Sequence, residues 1–75
     1  MNGLLVFTKI ERKPKTFVFE VSSKVSSDRL GTVKWMPQWR RYTFYPYSFT
    51  TFDSSCLLEI SKFIDSLMAE RGARQ

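Results

Sequence analysis

Apolar and polar residues follow a two-residue period over the first part of the chain and a helical spacing over the last third. The run Leu4-Leu5-Val6-Phe7-Thr8-Lys9-Ile10 has strand composition. The charged turn Glu11-Arg12-Lys13-Pro14-Lys15 follows it. Pro14 has no N–H to offer a ladder and pushes the residue before it into extended geometry. From Thr16 to Val21 the alternation is clear: Phe17, Phe19 and Val21 share one face, and Val18 and Glu20 the other. Ser22 to Asp28 is a polar loop. Two more strand-like runs flank Pro37-Gln38, which reads as a hairpin turn. Pro46 closes the second of them, and Tyr47 to Thr51 is an aromatic-bearing loop. The expected strands cover about 4–10, 16–22, 30–36 and 39–45.

Beyond Asp53 the period changes. Cys56, Leu57, Ile60, Phe63, Ile64, Leu67 and Met68 form one helical stripe, with Glu59, Lys62, Asp65 and Glu70 off it. Asp53 suits the N-cap, and Phe52 and Leu57 have hydrophobic-staple spacing. Gly72 suits the residue after the last turn, so the helix is expected over about 54–71. Leu58 lies at the stripe's margin, as rim core or as a small contact surface. One helix cannot bury that stripe alone. The expected fold is therefore a single α+β domain over residues 1–75, with an antiparallel meander of three to four strands packed on one C-terminal amphipathic α-helix.

A two-residue Pro37-Gln38 loop sets Met36 opposite Trp39, Lys34 opposite Arg41 and Thr32 opposite Thr43, all on one side of the sheet. The other side takes Val33 with Tyr42, Gly31 with Phe44 and Trp35 with Arg40. This second set reads as core-facing, with Arg40 at the rim where it can stack on Trp35 and with Gly31 admitting a close neighbour. The first set then faces water. It places two cations opposite each other and an exposed Trp39 at the hairpin tip, an arrangement that costs stability unless something anionic or aromatic docks there. A three-residue loop would instead gather Trp35, Trp39 and Arg41 on one face.

Composition narrows the function. With 75 residues the chain buries only about 60% of its unfolded surface. It has one cysteine and no histidine, which excludes an internal disulfide and an ordinary zinc site, so no metal and no cofactor are expected. Seven Phe, three Tyr and two Trp remain to build a core, or to build a dimer; a monomer or small homo-oligomer is expected. No histidine base, glycine-rich phosphate loop or paired carboxylates are present, and Cys56 falls on the apolar stripe, so the chain reads as non-enzymatic. No leader-like or membrane-spanning run is visible, and the lone thiol suits a reducing, cytoplasmic setting. The net charge is +5, and its excess lies before the helix: residues 1–52 carry nine cations against three carboxylates, and residues 53–75 carry three against four.

Basic groups beside aromatic platforms are how single-stranded nucleic acid is held. The same composition also makes protein–protein hot spots, and it occurs in cores and on soluble surfaces for packing and solubility alone. The candidate partner-binding residues are Lys34, Trp39, Arg40, Arg41, Tyr45 and Tyr47, with the separate basic turn of Arg12, Lys13 and Lys15 extending a phosphate-contacting stripe.

The pattern Leu30-Gly31-Thr32-Val33-Lys34-Trp35, Trp39-Arg40-Arg41-Tyr42, Phe44, Pro46, Thr51-Phe52, Cys56-Leu57, Glu59-Ile60 and Phe63-Ile64 resembles one found in short uncharacterised proteins of bacteriophages and prophages. The resemblance covers residues 30–68 and implies an origin and a fold, with no assigned activity. It implies residence in the cytoplasm of a bacterial host. It also opens a second function: a phage-encoded inhibitor of a host or defence component, anti-CRISPR-like, acting by protein–protein contact through Trp39, Tyr45, Tyr47 and Leu58. Mimicry of DNA is disfavoured because the chain is basic.

Overall fold

The computed structural model describes residues 4–73. Four strands, β1 (Leu5–Arg12), β2 (Phe17–Ser23), β3 (Arg29–Met36) and β4 (Arg41–Pro46), are followed by one helix, α1 (Ser54–Ala73). The strands form an antiparallel sheet in the order β1-β2-β3-β4. This is the expected two-layer α+β meander, with α1 covering one face.

Leu5, Phe19, Val21, Val33, Tyr42 and Ile60 are the buried centre between sheet and helix. Phe63 reaches down from α1 to stack on Phe7 at 4.1 Å and meets Phe19 edge-on at 4.9 Å. The Phe17 N–H donates to the buried Tyr42 hydroxyl at 3.2 Å, which ties β2 to β4 across β3. Two polar clamps fix the helix lengthwise. The Glu59 carboxylate accepts from the N–H groups of Leu4 and Leu5 at 2.7 and 3.2 Å, and Arg71 donates to the Lys15 carbonyl at 3.0 Å.

Asp53 caps α1 as its position predicts: its carboxylate accepts from the Cys56 N–H at 2.9 Å. That backbone hydrogen bond holds the Asp53 carboxyl below its usual value of 3.8. The folded state therefore favours the ionised form, so the cap contributes fully above the unfolded pKa and is lost as pH falls through the depressed one. Asp53→Ala should lower the melting temperature at neutral pH, and the difference from the wild type should close in acid. Asp53→Asn should keep most of the cap and show no such pH dependence. Thermal melts followed by far-UV circular dichroism across that range check both.

Several expected boundaries shift. β1 continues through Glu11 and Arg12, which are strand residues rather than turn residues; a bulge at Ile10 lets the strand run on. β4 begins at Arg41 instead of 39. The helix passes through Gly72 to Ala73, so Gly72 does not end it. The β3–β4 register is also displaced by two residues: Met36 pairs with Arg41, Lys34 with Thr43, Trp35 with Tyr42, and Gly31 with Pro46. Arg40 is consequently a turn residue and does not oppose Trp35.

The cause lies in Pro37. Two-residue hairpin loops need a positive φ at their first central position, which the pyrrolidine ring forbids. The chain instead uses four residues, Pro37 to Arg40. The Trp39 and Arg40 N–H groups donate to the Met36 carbonyl at 3.2 and 2.9 Å, and Arg40 takes the left-handed conformation at φ 55°. A shift of two leaves every side chain that remains in the β3–β4 ladder on its expected face, while Trp39 and Arg40 move into the turn. Lys34, Arg41 and Thr43 still point away from the helix. The two cations are no longer opposite one another, so the expected like-charge cost disappears.

Candidate functional site

The helix covers one face of the sheet; the other is open. Antiparallel strands bring the β1–β2 turn, the β3–β4 turn and the last turn of α1 to one end of the molecule. Lys13, Lys15, Arg40, Arg41 and Arg71 gather there, with Arg12 and Lys34 on the adjoining strands. The carboxylates near this end are Glu11, which pairs with Lys13 at 3.5 Å, and Glu70 in the last turn of α1. Among the described residues, Lys34, Arg40, Arg41 and Lys15 have no carboxylate within ion-pair distance.

Trp39 projects from the turn and is 62% exposed. Trp35 points the other way, edge-on to Tyr42 at 5.5 Å on the helix side. On the open face Lys34 sets its ammonium 4.6 Å from the Tyr45 ring centre. One side of that ring is thus already occupied by a cation, so Tyr45 offers a single face for stacking. Between the two turns lies a shallow cleft of about 380 Å³ lined by Lys13, Thr16, Val18, Lys34, Trp35, Pro37 and Tyr45. Val18, buried on the open face, marks its apolar side.

The structure divides the expected site residues into three groups. Lys34, Arg41 and Tyr45 share the open face, and Trp39 and Arg40 stand at its end. Arg12 lies on the helix-side face, 6.0 Å from the Phe17 ring, while Lys13 and Lys15 bridge the two faces through their turn. Tyr47 stands apart from the basic end. Its N–H, just past β4, donates to the Leu30 carbonyl at 2.9 Å, and its hydroxyl donates to Glu20, mid-way along β2 on the open face, at 3.2 Å. Desolvation, then the hydrogen bond and charge of Glu20, raise its pKa. Glu20 is also 3.8 Å from Arg29, so the open face is mixed in charge near β2 and basic near β4.

Two contributors were missing from the sequence reading. Lys9 lies 4.1 Å over the Phe17 ring, and Arg71 lies 4.1 Å over the Trp35 ring. Arg71 was legible in principle, because it falls four residues after Leu67 and seven after Ile64, on the stripe that faces the sheet. Together they extend the positive, ring-bearing surface around the end of the sheet to the helix side.

Cys56 is half-buried, and desolvation followed by its contact with Asp53 raises its thiol pKa, which favours the protonated, unreactive form. Among the described residues, no three metal-binding side chains converge and no helix is long and apolar enough to cross a membrane.

Fold and surface define a small α+β protein with one helix-backed sheet and one basic, aromatic end. The chain is 42% identical over 57 residues to an uncharacterised 9.3 kDa protein of Acholeplasma phage L2, an overlap of 76% of this chain and 73% of the relative. It belongs to that family of small phage proteins. No family profile and no solved structure matches it.

Proposed function

We propose that the protein is a non-enzymatic binding module for single-stranded nucleic acid, acting in the cytoplasm of a phage-infected bacterium. The observation that carries this reading is Trp39, held out to solvent by its turn beside Arg40 and Arg41, which pair with no carboxylate among the described residues. An exposed indole gives any base a π-face to stack on, worth about 1–3 kcal/mol. Arg40 and Arg41 follow it directly in sequence, and Lys34 and Lys15 lie within the same end, a layout that suits a phosphate backbone. The cleft of about 380 Å³ beside Tyr45 has the volume for one further base.

Titration of labelled single-stranded DNA and RNA at two salt concentrations tests this. Four neutralised phosphates should give a log–log salt slope of about −3, at roughly −0.7 per phosphate. No binding at low salt, or binding that ignores salt, rejects it.

The competing reading is an inhibitor of a host or defence protein that works by protein contact. An exposed Trp beside arginines is also hot-spot composition. Capture of partners from host lysate with and without nuclease separates the two. Partners lost after nuclease support the first reading, and partners retained support the second.

A further inference from the structure

The end of the molecule away from the basic turns carries its own unexplained feature. Phe49, in the β4–α1 loop, is 105% exposed and sits at φ 61°. A bulky residue in left-handed geometry is a true outlier, and Gly or Asn would serve the same turn without strain. Within one chain Phe49 gains nothing for either cost. Beside it lies a cleft of about 360 Å³ whose lining includes Leu4, Leu5, Val25, Leu30, Thr51 and Cys56. Val25, at 84% exposure, contributes its side chain to that cleft while remaining mostly in water. The loop that bears Phe49 also supplies Thr51, two residues on, to the cleft wall, so the projecting residue and the recess belong to the same end of the molecule.

A knob and a hole side by side on one surface are self-complementary about a two-fold axis. We infer that two copies of the chain pair through this end, the Phe49 ring of each entering the Val25–Leu30–Cys56 cleft of the other. Charge favours a second copy as the occupant. Lys24 and Asp28 are exposed here and form no ion pair among the described residues, so two such ends meet with opposite signs available. The basic ends repel one another and point outward. Size favours it too. Among the described residues, the largest wholly buried side chains are no bigger than Val21 and Val33. A small specific interface needs roughly 600 Å² per partner, about a tenth of the 5665 Å² surface. Leu57 and Leu58, half-exposed in the first turns of α1, extend the apolar area beside the recess.

This inference uses none of the residues proposed to contact nucleic acid. Sedimentation equilibrium of the full chain, without nucleic acid, across micromolar to millimolar concentration tests it. The wild type should reach a dimer, and Phe49→Ser should weaken it at least about tenfold, as loss of a central aromatic anchor does. Val25→Glu, on the other side of the contact, should act likewise. Both side chains are exposed in the single chain, so both variants should keep the wild-type far-UV spectrum and melting temperature when measured at monomeric concentrations. Cys56, the chain's one cysteine, should react more slowly with a thiol reagent as wild-type concentration rises, but not in Phe49→Ser. A wild type that stays monomeric throughout, or a dimer indifferent to both substitutions, overturns the inference. Single-strand affinity per chain should be unchanged in Phe49→Ser, so failure at one end is read separately from failure at the other.

Discussion

Gly31→Ala should destabilise the domain by about 2–3 kcal/mol, the upper range for forcing a methyl group into a packed site. Gly31 needs no unusual φ; it is small because β4 comes close. A Cβ there would lie 2.5 Å from the Tyr45 carbonyl oxygen, 2.8 Å from the Phe44 ring and 2.8 Å from the Pro46 Cα. The ring can swing aside, but the other two atoms belong to the main chain of β4. Relief therefore requires the strand to move away from β3, and Phe44, packed edge-on to Phe52 at 5.2 Å, moves with it. A small domain holds only about 5–15 kcal/mol in total, so the loss is a large share. Urea denaturation should show a lower midpoint with an unchanged slope. Thr32→Ala, one residue along and facing away from the helix, should change stability by no more than about 0.5 kcal/mol. Equal midpoints for Gly31→Ala and the wild type would mean that β3 and β4 are not this close.

The second large effect concerns binding. Reversing both open-face cations, Lys34→Glu with Arg41→Glu, should cut single-strand affinity at low salt by about 100-fold or more, because two attractions become repulsions. The salt slope should also flatten. Trp39→Ala should cost about 1–3 kcal/mol of binding while leaving the salt slope near the wild-type value, since a stacking contact releases no counterions. Charge and stacking are thus separable by the salt axis alone. Lys24→Glu and Lys62→Glu, both outside the basic end, should change affinity little. A deficit equal to that of the open-face pair would indicate attraction by net charge rather than by a surface.

Much of this arrangement is legible in the residue pattern. The two-residue period from Phe17 to Val21 and from Leu30 to Met36 sorts side chains between helix and solvent. The sorting survives the register error, because a displacement of two positions preserves parity. That is why Trp35 stays on the helix side, whereas Trp39 is exposed because the four-residue turn holds it out; the sequence alone left open which of the two indoles faces water. The register itself depends on turn chemistry, and Pro37 carried the needed information: proline cannot open a two-residue hairpin loop.

Other features escaped for a different reason. The Tyr47–Glu20 hydrogen bond joins residues 27 apart, and the Arg71–Lys15 contact joins residues 56 apart. Neither separation leaves a periodic trace in the chain. Tyr47 therefore read as free to extend the same aromatic platform as Tyr45, whereas its hydroxyl is engaged by Glu20. Arg71 was not singled out beside the Gly72 expected to follow the last turn, whereas the helix continues past it and lays it on Trp35.

The most direct measurement is two-dimensional ¹H–¹⁵N spectroscopy of the labelled protein during addition of a short oligothymidine. The Trp39 indole N–H and the backbone amides of Lys34, Arg40 and Arg41 should shift together and saturate, with Phe49, Leu58 and Lys62 unmoved. Spectra that do not respond at all, or that respond along α1 while the Trp39 indole stays fixed, would contradict the assignment of the basic, ring-bearing end as the binding surface.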